Sequence, residues 1–96
     1  MPSATRKGDY CTGHGCYPPR PSITGSPNVY TNNRPAIRRT DWYAAHGCNR
    51  CIPHPGQLKK GSQTVFINML DAGRIGDPID CGSFVAQGSQ NVYIGG

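Results

Sequence analysis

The sequence predicts a small all-β protein built from three copies of one unit around an axis. A run that opens with Gly-Ser and continues into alternating β-branched and aromatic residues occurs three times, at residues 25–32, 61–68 and 88–95. The first two runs lead into Ala-x-Arg-x-x-Asp at residues 36–41 and 72–77, but the third stops at Gly96, and its continuation stands at residues 4–9. Repeats of this size decide an architecture before local propensity does. We therefore expect a closed three-part ring with Met1 and Gly96 side by side.

Each run is expected to form a short strand followed by a turn. The predicted strands alternate, with Tyr30, Phe66 and Tyr93 on one face. Val29/Thr31, Val65/Ile67 and Val92/Ile94 are expected on the other, toward the core. Asn32-Asn33 and Gly95-Gly96 suit a tight turn with positive φ, whereas Asn68-Met69 suits it less well. No segment predicts a helix of normal length, and residues 41–45 have room for one turn at most. The prediction is three hairpin-like arms.

The composition predicts a single domain, residues 1–96, with a thin core. Only 35% of the residues are hydrophobic, and there are 13 glycines and 9 prolines. Such a chain is expected to need a metal, disulfides or a partner for stability. It has no apolar run long enough to cross a bilayer and no signal-peptide core. We expect synthesis in the cytoplasm and export by a route that the sequence does not encode.

The formal net charge of +5 is compatible with nucleic-acid binding, but the cationic residues are scattered along the sequence. Arg6, Arg38 and Arg74 each precede a repeat aspartate by three residues, which favours local Arg–Asp contacts that fix a turn. The surplus charge suits a phosphate-rich membrane surface or an acidic partner. A small zinc-dependent nucleic-acid-binding module remains the alternative, although no recognition helix or stacking platform supports it.

Every histidine and cysteine lies between the repeats, in two long inserts and one short link. His14 and His46 each stand five residues past a repeat aspartate, and Cys81 stands four past another. Three-fold symmetry would bring these positions together near one end of the axis, where His54 can add a fourth ligand. The predicted site is His14, His46, His54 and Cys81, a closed set of four ligands that suits a structural zinc.

Two other interpretations of these residues stay open at this stage. Cys48-x-x-Cys51 is half of a zinc-ribbon pattern, so those cysteines are candidate ligands, and the three histidines could also be plain surface residues. If Cys81 binds metal, the remaining cysteines are either reduced or paired, in a pattern that the sequence does not fix: Cys11, Cys16, Cys48 and Cys51. We expect no enzyme, because the chain has no glutamate to act as a base and three of its five aspartates belong to the repeat.

The repeated units resemble the PAAR-repeat proteins, which tip the spikes of type VI secretion systems and of contractile-tailed phages. The family motif is closest at residues 35–38, Pro-Ala-Ile-Arg, and diverged copies stand at residues 3–6 and 71–74. Gly8-Asp9 and Gly76-Asp77 keep the ending of the family repeat, whereas Thr40-Asp41 departs from it. The resemblance covers nearly the whole chain.

The resemblance implies a small cone whose base sits on a trimeric β-helical spike, one copy per trimer. It implies zinc near the vertex, with iron possible, held by three histidines and one cysteine: His14, His46, His54 and Cys81. It implies a non-enzymatic tip that caps and sharpens the spike and helps pierce the target cell's outer membrane, with no nucleic acid and no small-molecule substrate. We expect a bare tip without an effector extension, located in a virion tail baseplate or secreted by a type VI system.

Overall fold

A computed structural model describes residues 1–48 and 51–96, with the backbone alone at Cys48 and Cys51. Its strands form three antiparallel hairpins: β1 (Tyr30–Thr31) with β2 (Arg34–Pro35), β3 (Trp42–Cys48) with β4 (Cys51–Gln57), and β5 (Phe66–Ile67) with β6 (Leu70–Asp71). Isolated β-bridges join the remaining segments. The predicted all-β class is confirmed. In the described ranges, no helix has the length and apolar character needed to span a membrane.

The two chain ends complete a third repeat hairpin. Ser3 bridges Tyr93, as Pro35 pairs with Tyr30 in the first repeat. The Ile94 amide donates to the Pro2 carbonyl at 2.9 Å. The expectation that Met1 and Gly96 lie side by side is confirmed, and the ring of repeats is closed by pairing between the ends.

The turns of the two continuous repeat hairpins have the same backbone. Asn32 and Asn33 have φ of 52° and 65°, and Asn68 and Met69 have 52° and 67°. Two consecutive residues with positive φ are what a two-residue hairpin turn requires. Asn68-Met69 was expected to suit this turn less well, yet it adopts the same turn as Asn32-Asn33. The repeat geometry imposes the positive φ on Met69.

The three Ala-x-Arg segments form a triangle around the axis. Ala4 bridges Arg74, Arg6 bridges Ala36, and Arg38 bridges Ala72, so each segment pairs with both others. Their middle residues, Thr5, Ile37 and Gly73, are buried at the centre. A β-carbon added to Gly73 would lie 3.1 Å from a methyl of Thr5 and 3.2 Å from one of Ile37. We call these three residues the axial layer; glycine at one position makes room for the other two side chains.

Next to the triangle, six segments form a closed ring that we call the wall: residues 9–12, 20–23, 41–44, 56–59, 77–80 and 83–86. Consecutive segments are joined by the pairs Tyr10–Pro21, Ser22–Tyr43, Trp42–Gln57, Leu58–Ile79, Pro78–Phe84 and Val85–Cys11. One inward side chain from each segment is at most 2% exposed: Cys11, Ser22, Tyr43, Leu58, Ile79 and Val85. The five apolar ones pack with Ile37 as the main core.

The repeat aspartates hold the turns between the triangle and the wall. Asp41 accepts the backbone amide and Nε of Arg38 at 2.7 and 2.9 Å through one carboxylate oxygen, and Nη2 at 3.0 Å through the other. Asp9 with Arg6 and Asp77 with Arg74 repeat this arrangement. The predicted local Arg–Asp contacts are confirmed, and each buried carboxylate is satisfied by its own arginine.

The second insert is more regular than predicted. Instead of one helical turn at residues 41–45, the chain forms the β3–β4 hairpin, in which Trp42 pairs with Gln57 and His46 with His54. Strand β3 also bridges the first insert through Ser22 and Tyr43. Pairing on both sides therefore overrides the weak local preference of this segment.

The repeat hairpins carry two triads of exposed apolar side chains. Tyr30, Phe66 and Tyr93 are 58, 56 and 51% exposed. The expectation that the valines face the core is wrong: Val29, Val65 and Val92 are 37, 38 and 36% exposed, whereas Thr31 and Ile94 are buried. We call these six exposed residues the apolar base. The principal extents of 38 × 23 × 23 Å give the molecule one long axis and equal widths across it.

Candidate metal centre

Chain segments that extend beyond the wall carry a cluster of histidine and cysteine side chains. His46 and His54 are cross-strand partners on β3 and β4, His14 lies in the tight turn that it forms with Tyr17, and Cys81 follows a wall segment. One potential ligand atom from each residue lies within 4.8 Å of all the others. The structure thus brings together all four residues of the predicted site, His14, His46, His54 and Cys81, in a group that could hold a metal ion.

The ligand atoms converge on one point. The Nε2 atom of His54 lies 3.1 Å from that of His14 and 3.0 Å from that of His46, and Cys81 Sγ lies 3.9 Å from His46 Nε2. A tetrahedral ion with Zn–N bonds of about 2.0–2.1 Å would separate its nitrogen ligands by about 3.3 Å. Since His54 Nε2 faces two other ring nitrogens, one cation among them would bind all three lone pairs at once.

A backbone carbonyl fixes the tautomer of His46. His46 Nδ1 lies 2.8 Å from the Pro18 carbonyl oxygen, and a carbonyl can only accept, so Nδ1 carries the proton. Neutral His46 therefore presents the lone pair of Nε2 to the cluster. A ligand histidine held by a carbonyl through its other nitrogen is the usual outer-shell arrangement of metal sites.

Burial and neighbouring rings keep His14 in the neutral form that can bind a cation. The pKa of His14 is lowered, first by burial and then by the neighbouring imidazoles of His46 and His54. Burial raises the pKa of the Cys81 thiol. A bound cation would reverse the effect on the thiol, because its charge stabilises the thiolate. The surroundings of His14 thus disfavour a proton on its second ring nitrogen, and a metal could supply positive charge there instead.

Tyr17 covers the cluster, a role that the sequence reasoning missed. Its ring centroid lies 4.6, 5.0 and 4.2 Å from those of His14, His46 and His54. Its hydroxyl donates to the Ile52 carbonyl at 2.9 Å. The tight turn places it there: the backbones of His14 and Tyr17 exchange hydrogen bonds of 3.0 and 2.7 Å. The available signal was Gly15, whose positive φ lets the chain return over His14.

The remaining cysteines divide into two groups. Cys11 is a free thiol in the core, and Cys16 is disulfide-bonded. The alternative site that uses Cys48 and Cys51 concerns side chains outside the described part of the chain. Within that part, the group that could hold a metal contains no carboxylate. If all four residues bound one ion, they would join separate chain segments and fill a tetrahedral coordination sphere.

Fold and site together define a class: a small β protein with three-fold pseudosymmetry, a closed wall, an apolar base and a His/Cys cluster beyond the wall. The model of the PAAR motif family matches residues 12–87. The chain belongs to this family, and the predicted resemblance is confirmed.

Three similar proteins are toxins by name. The chain is 39% identical over 79 residues to the NAD(P)(+) glycohydrolase toxin Tse6 and to the (p)ppApp synthetase toxin Tas1, both of Pseudomonas aeruginosa. It is 36% identical over 74 residues to the double-stranded DNA deaminase toxin A of Burkholderia cenocepacia. Each match covers 77% of this chain but only 18, 18 and 5% of the relative. The chain therefore corresponds to a small part of each relative's length.

Proposed function

We propose that this chain caps and sharpens the end of a trimeric β-helical spike in a contractile injection machine. The observation that carries the proposal is the apolar base, whose exposed Tyr30, Phe66 and Tyr93 repeat at three equivalent positions. Apolar rings at this exposure are costly on a free surface and are typical of an interface. The PAAR family membership supports the same conclusion.

The fit between the two partners follows from symmetry. A trimeric β-helix ends in three equivalent strand edges, which invite further pairing unless they are covered. A monomer whose three repeats occupy one base offers each edge the same contact. One copy per trimer is then the expected ratio, because a single chain already supplies all three repeats around the pseudo-three-fold axis.

The relatives favour one setting for the machine. They are named as bacterial toxins, and toxin delivery suits a type VI secretion system better than the tail baseplate of a phage virion. We propose that the chain is secreted as a non-enzymatic tip that helps pierce the outer membrane of the target cell. Three of its ten cations are held by the repeat aspartates, which weakens the alternative of a nucleic-acid module.

The docking proposal is tested by native mass spectrometry of the chain mixed with a trimeric spike protein. We expect a ratio of one chain to three spike subunits. Phe66→Gln and Tyr93→Gln should weaken the complex by removing apolar contact at the base, whereas Thr12→Gln on the wall should leave it intact. A ratio of three to three would contradict the proposal.

We also propose that His14, His46, His54 and Cys81 hold one structural zinc. The convergence of their ligand atoms supports this, and three histidines with one thiolate suit zinc among the common metals. Elemental analysis of the purified chain should find one equivalent. His14→Ala and Cys81→Ser should lower the metal content, and Cys11→Ser should lower stability but leave the content unchanged. Full occupancy in both ligand variants would refute this site, and iron would revise the metal but keep the ligands.

The piercing role requires a test in the assembled machine. Removing this chain alone should leave the spike able to form but lower delivery into cells with an intact outer membrane. Delivery into cells whose outer membrane has been permeabilised is the matched control and should change less. Equal delivery into intact cells with and without the chain would leave only the capping role.

A further inference from the structure

The outer face of the wall is unusually apolar for a free surface. Four large side chains point outward from it, with exposures between 41% for Trp42 and 49% for Phe84; the other two are Tyr10 and Ile23. Half-buried Pro21 and Pro78 pair with Tyr10 and Phe84. These residues come from five of the six wall segments, and the sixth contributes Gln57 and Lys59. The apolar surface therefore extends around most of the circumference.

The charges on this exterior are almost all positive. Of the five aspartates, the three of the repeats are buried against arginines, and Asp71 lies 3.8 Å from Arg39. Asp80 alone is an exposed acid. Lys7, Lys59 and Lys60 are exposed beside or within wall segments, and Arg20 in the second wall segment is half-buried. The wall thus combines aromatic side chains with cations at its margins.

The geometry of the wall disfavours a strand-like protein partner. Each of its six segments is paired on both sides, so it has no free edge to which a strand could add. Its apolar residues also surround the axis instead of forming one flat patch. A surface of this shape suits a fluid partner that can close around it. Aromatic rings and long cations are the side chains that favour the boundary between lipid and water.

We infer that the wall is a lipid-contacting surface that takes the anionic headgroups of a bilayer. The aromatic residues enter the headgroup boundary, and Lys7, Arg20, Lys59 and Lys60 meet the phosphates. The inference rests on the proposed piercing role and deepens it, because it names the residues that touch the membrane as the tip passes. Binding depends on charge and on apolar contact together.

Trp42 makes this surface directly observable, since it is the only tryptophan of the chain. The full metal-loaded chain is titrated with vesicles of phosphatidylcholine alone or mixed with phosphatidylglycerol. We expect a blue shift of Trp42 emission and quenching by lipids brominated near the headgroup, with the anionic vesicles only. Raising the salt concentration should weaken binding, because the phosphate contacts are screened.

Variants separate this inference from spike capping. Tyr10→Gln with Phe84→Gln should weaken vesicle binding about tenfold or more, and Lys59→Gln with Lys60→Gln about fivefold for each lysine. Phe66→Gln and Tyr93→Gln on the base are matched controls, because their side chains are just as exposed. The wall variants should keep spike docking, and the base variants should lose it but keep vesicle binding.

The outcomes are distinct. An unchanged Trp42 spectrum with anionic vesicles, or equal losses from base and wall variants, would overturn the inference. Binding to soluble acidic protein or nucleic acid but to no vesicle would overturn it too and assign the wall to that partner. Vesicle binding without spike docking would sustain the inference while the capping proposal fails.

Discussion

At the scale of the residue, the position before each repeat aspartate has the same left-handed backbone conformation in all three repeats. Gly8, Thr40 and Gly76 precede the three repeat aspartates and have φ of 94°, 79° and 90°. Their amides donate to wall carbonyls, those of Ser22, Leu58 and Val85. The hydrogen bond fixes the conformation in all three repeats. Threonine at one of them is β-branched in a region that glycine tolerates far better.

Thr40→Gly is therefore expected to stabilise the protein. Relief of left-handed strain outweighs the added freedom of glycine in the unfolded chain, for a net gain of about 0.5–1 kcal/mol. Thermal unfolding of the metal-loaded protein measures it. Gly76→Thr is the reverse control and should destabilise, although a β-carbon there meets no atom within 4 Å. A lower melting temperature for Thr40→Gly would show that the threonine makes a compensating contact.

Tyr17 is expected to slow the release of the proposed zinc. Its ring lies against all three histidines, so Tyr17→Ala should open the cluster to water and speed zinc transfer to a chelator by about tenfold. Tyr17→Phe keeps the ring and should keep most of the protection. Stopped-flow measurement with a colorimetric chelator gives the rates. If the alanine variant releases zinc at the wild-type rate, the ring does not limit access.

At the scale of the element, the axial layer explains how three similar segments pack without symmetry. Thr5, Ile37 and Gly73 occupy one position in the repeat but differ in volume. A β-carbon on Gly73 would approach Leu58 to 2.8 Å as well as the two axial methyls. The layer is filled by one large, one medium and one absent side chain, so the triangle stays close-packed.

Gly73→Ala is expected to cost about 1–3 kcal/mol through overpacking, more than the entropy that alanine saves. Thr5→Ser removes the axial methyl of Thr5 and should recover part of this loss in the double variant. Chemical denaturation of the single and double variants completes a double-mutant cycle. Additive effects would mean that the alanine is accommodated elsewhere, away from Thr5.

The sequence predicts those elements whose positions the repeat register fixes. The repeat register correctly placed Thr31 and Ile94 inward, brought the two chain ends together, and grouped His14, His46 and Cys81. It did not predict the β3–β4 hairpin or the closed wall, because partners distant in sequence decide the pairing of the inserts. It wrongly placed Val29, Val65 and Val92 toward the core, because their exposure depends on where each short strand leaves the core. The position of the second insert that matches Tyr17 is Asn49, so the repeat gave no signal for a ring there, and its role needed the turn geometry.

At the scale of the whole molecule, the wall and the joined ends form one continuous hydrogen-bonded ring system. The proposed metal would tie together the segments beyond the wall, and the paired ends close the repeat hairpins. Both links between distant segments would stabilise the fold of a chain whose hydrophobic core is small. We therefore expect stability to depend more on the closed ring of hydrogen-bonded segments than on the volume of the core.

A circular permutant tests this closure. Joining Gly96 to Pro2 without Met1 restores a two-residue turn, and new ends between Lys60 and Gly61 open the link that follows the exposed Lys60. We expect it to fold with a melting temperature within about 5 °C of the parent, a change of about 1 kcal/mol. A second permutant with new ends between Cys11 and Thr12 cuts the wall and should be far less stable. The closed-ring description fails if the two permutants behave alike.

The unequal side chains of the axial layer bear on ancestry. An assembly of three identical single-repeat chains would put the same residue on the axis three times: three isoleucines would overfill it and three glycines would leave a void. It would also lack a counterpart to His54, which has no equivalent in the other inserts. Only after duplicated copies had been joined in one gene could each axial position change alone. The three different axial residues therefore favour a history in which the repeats were first fused in one gene and the axial positions diverged afterwards.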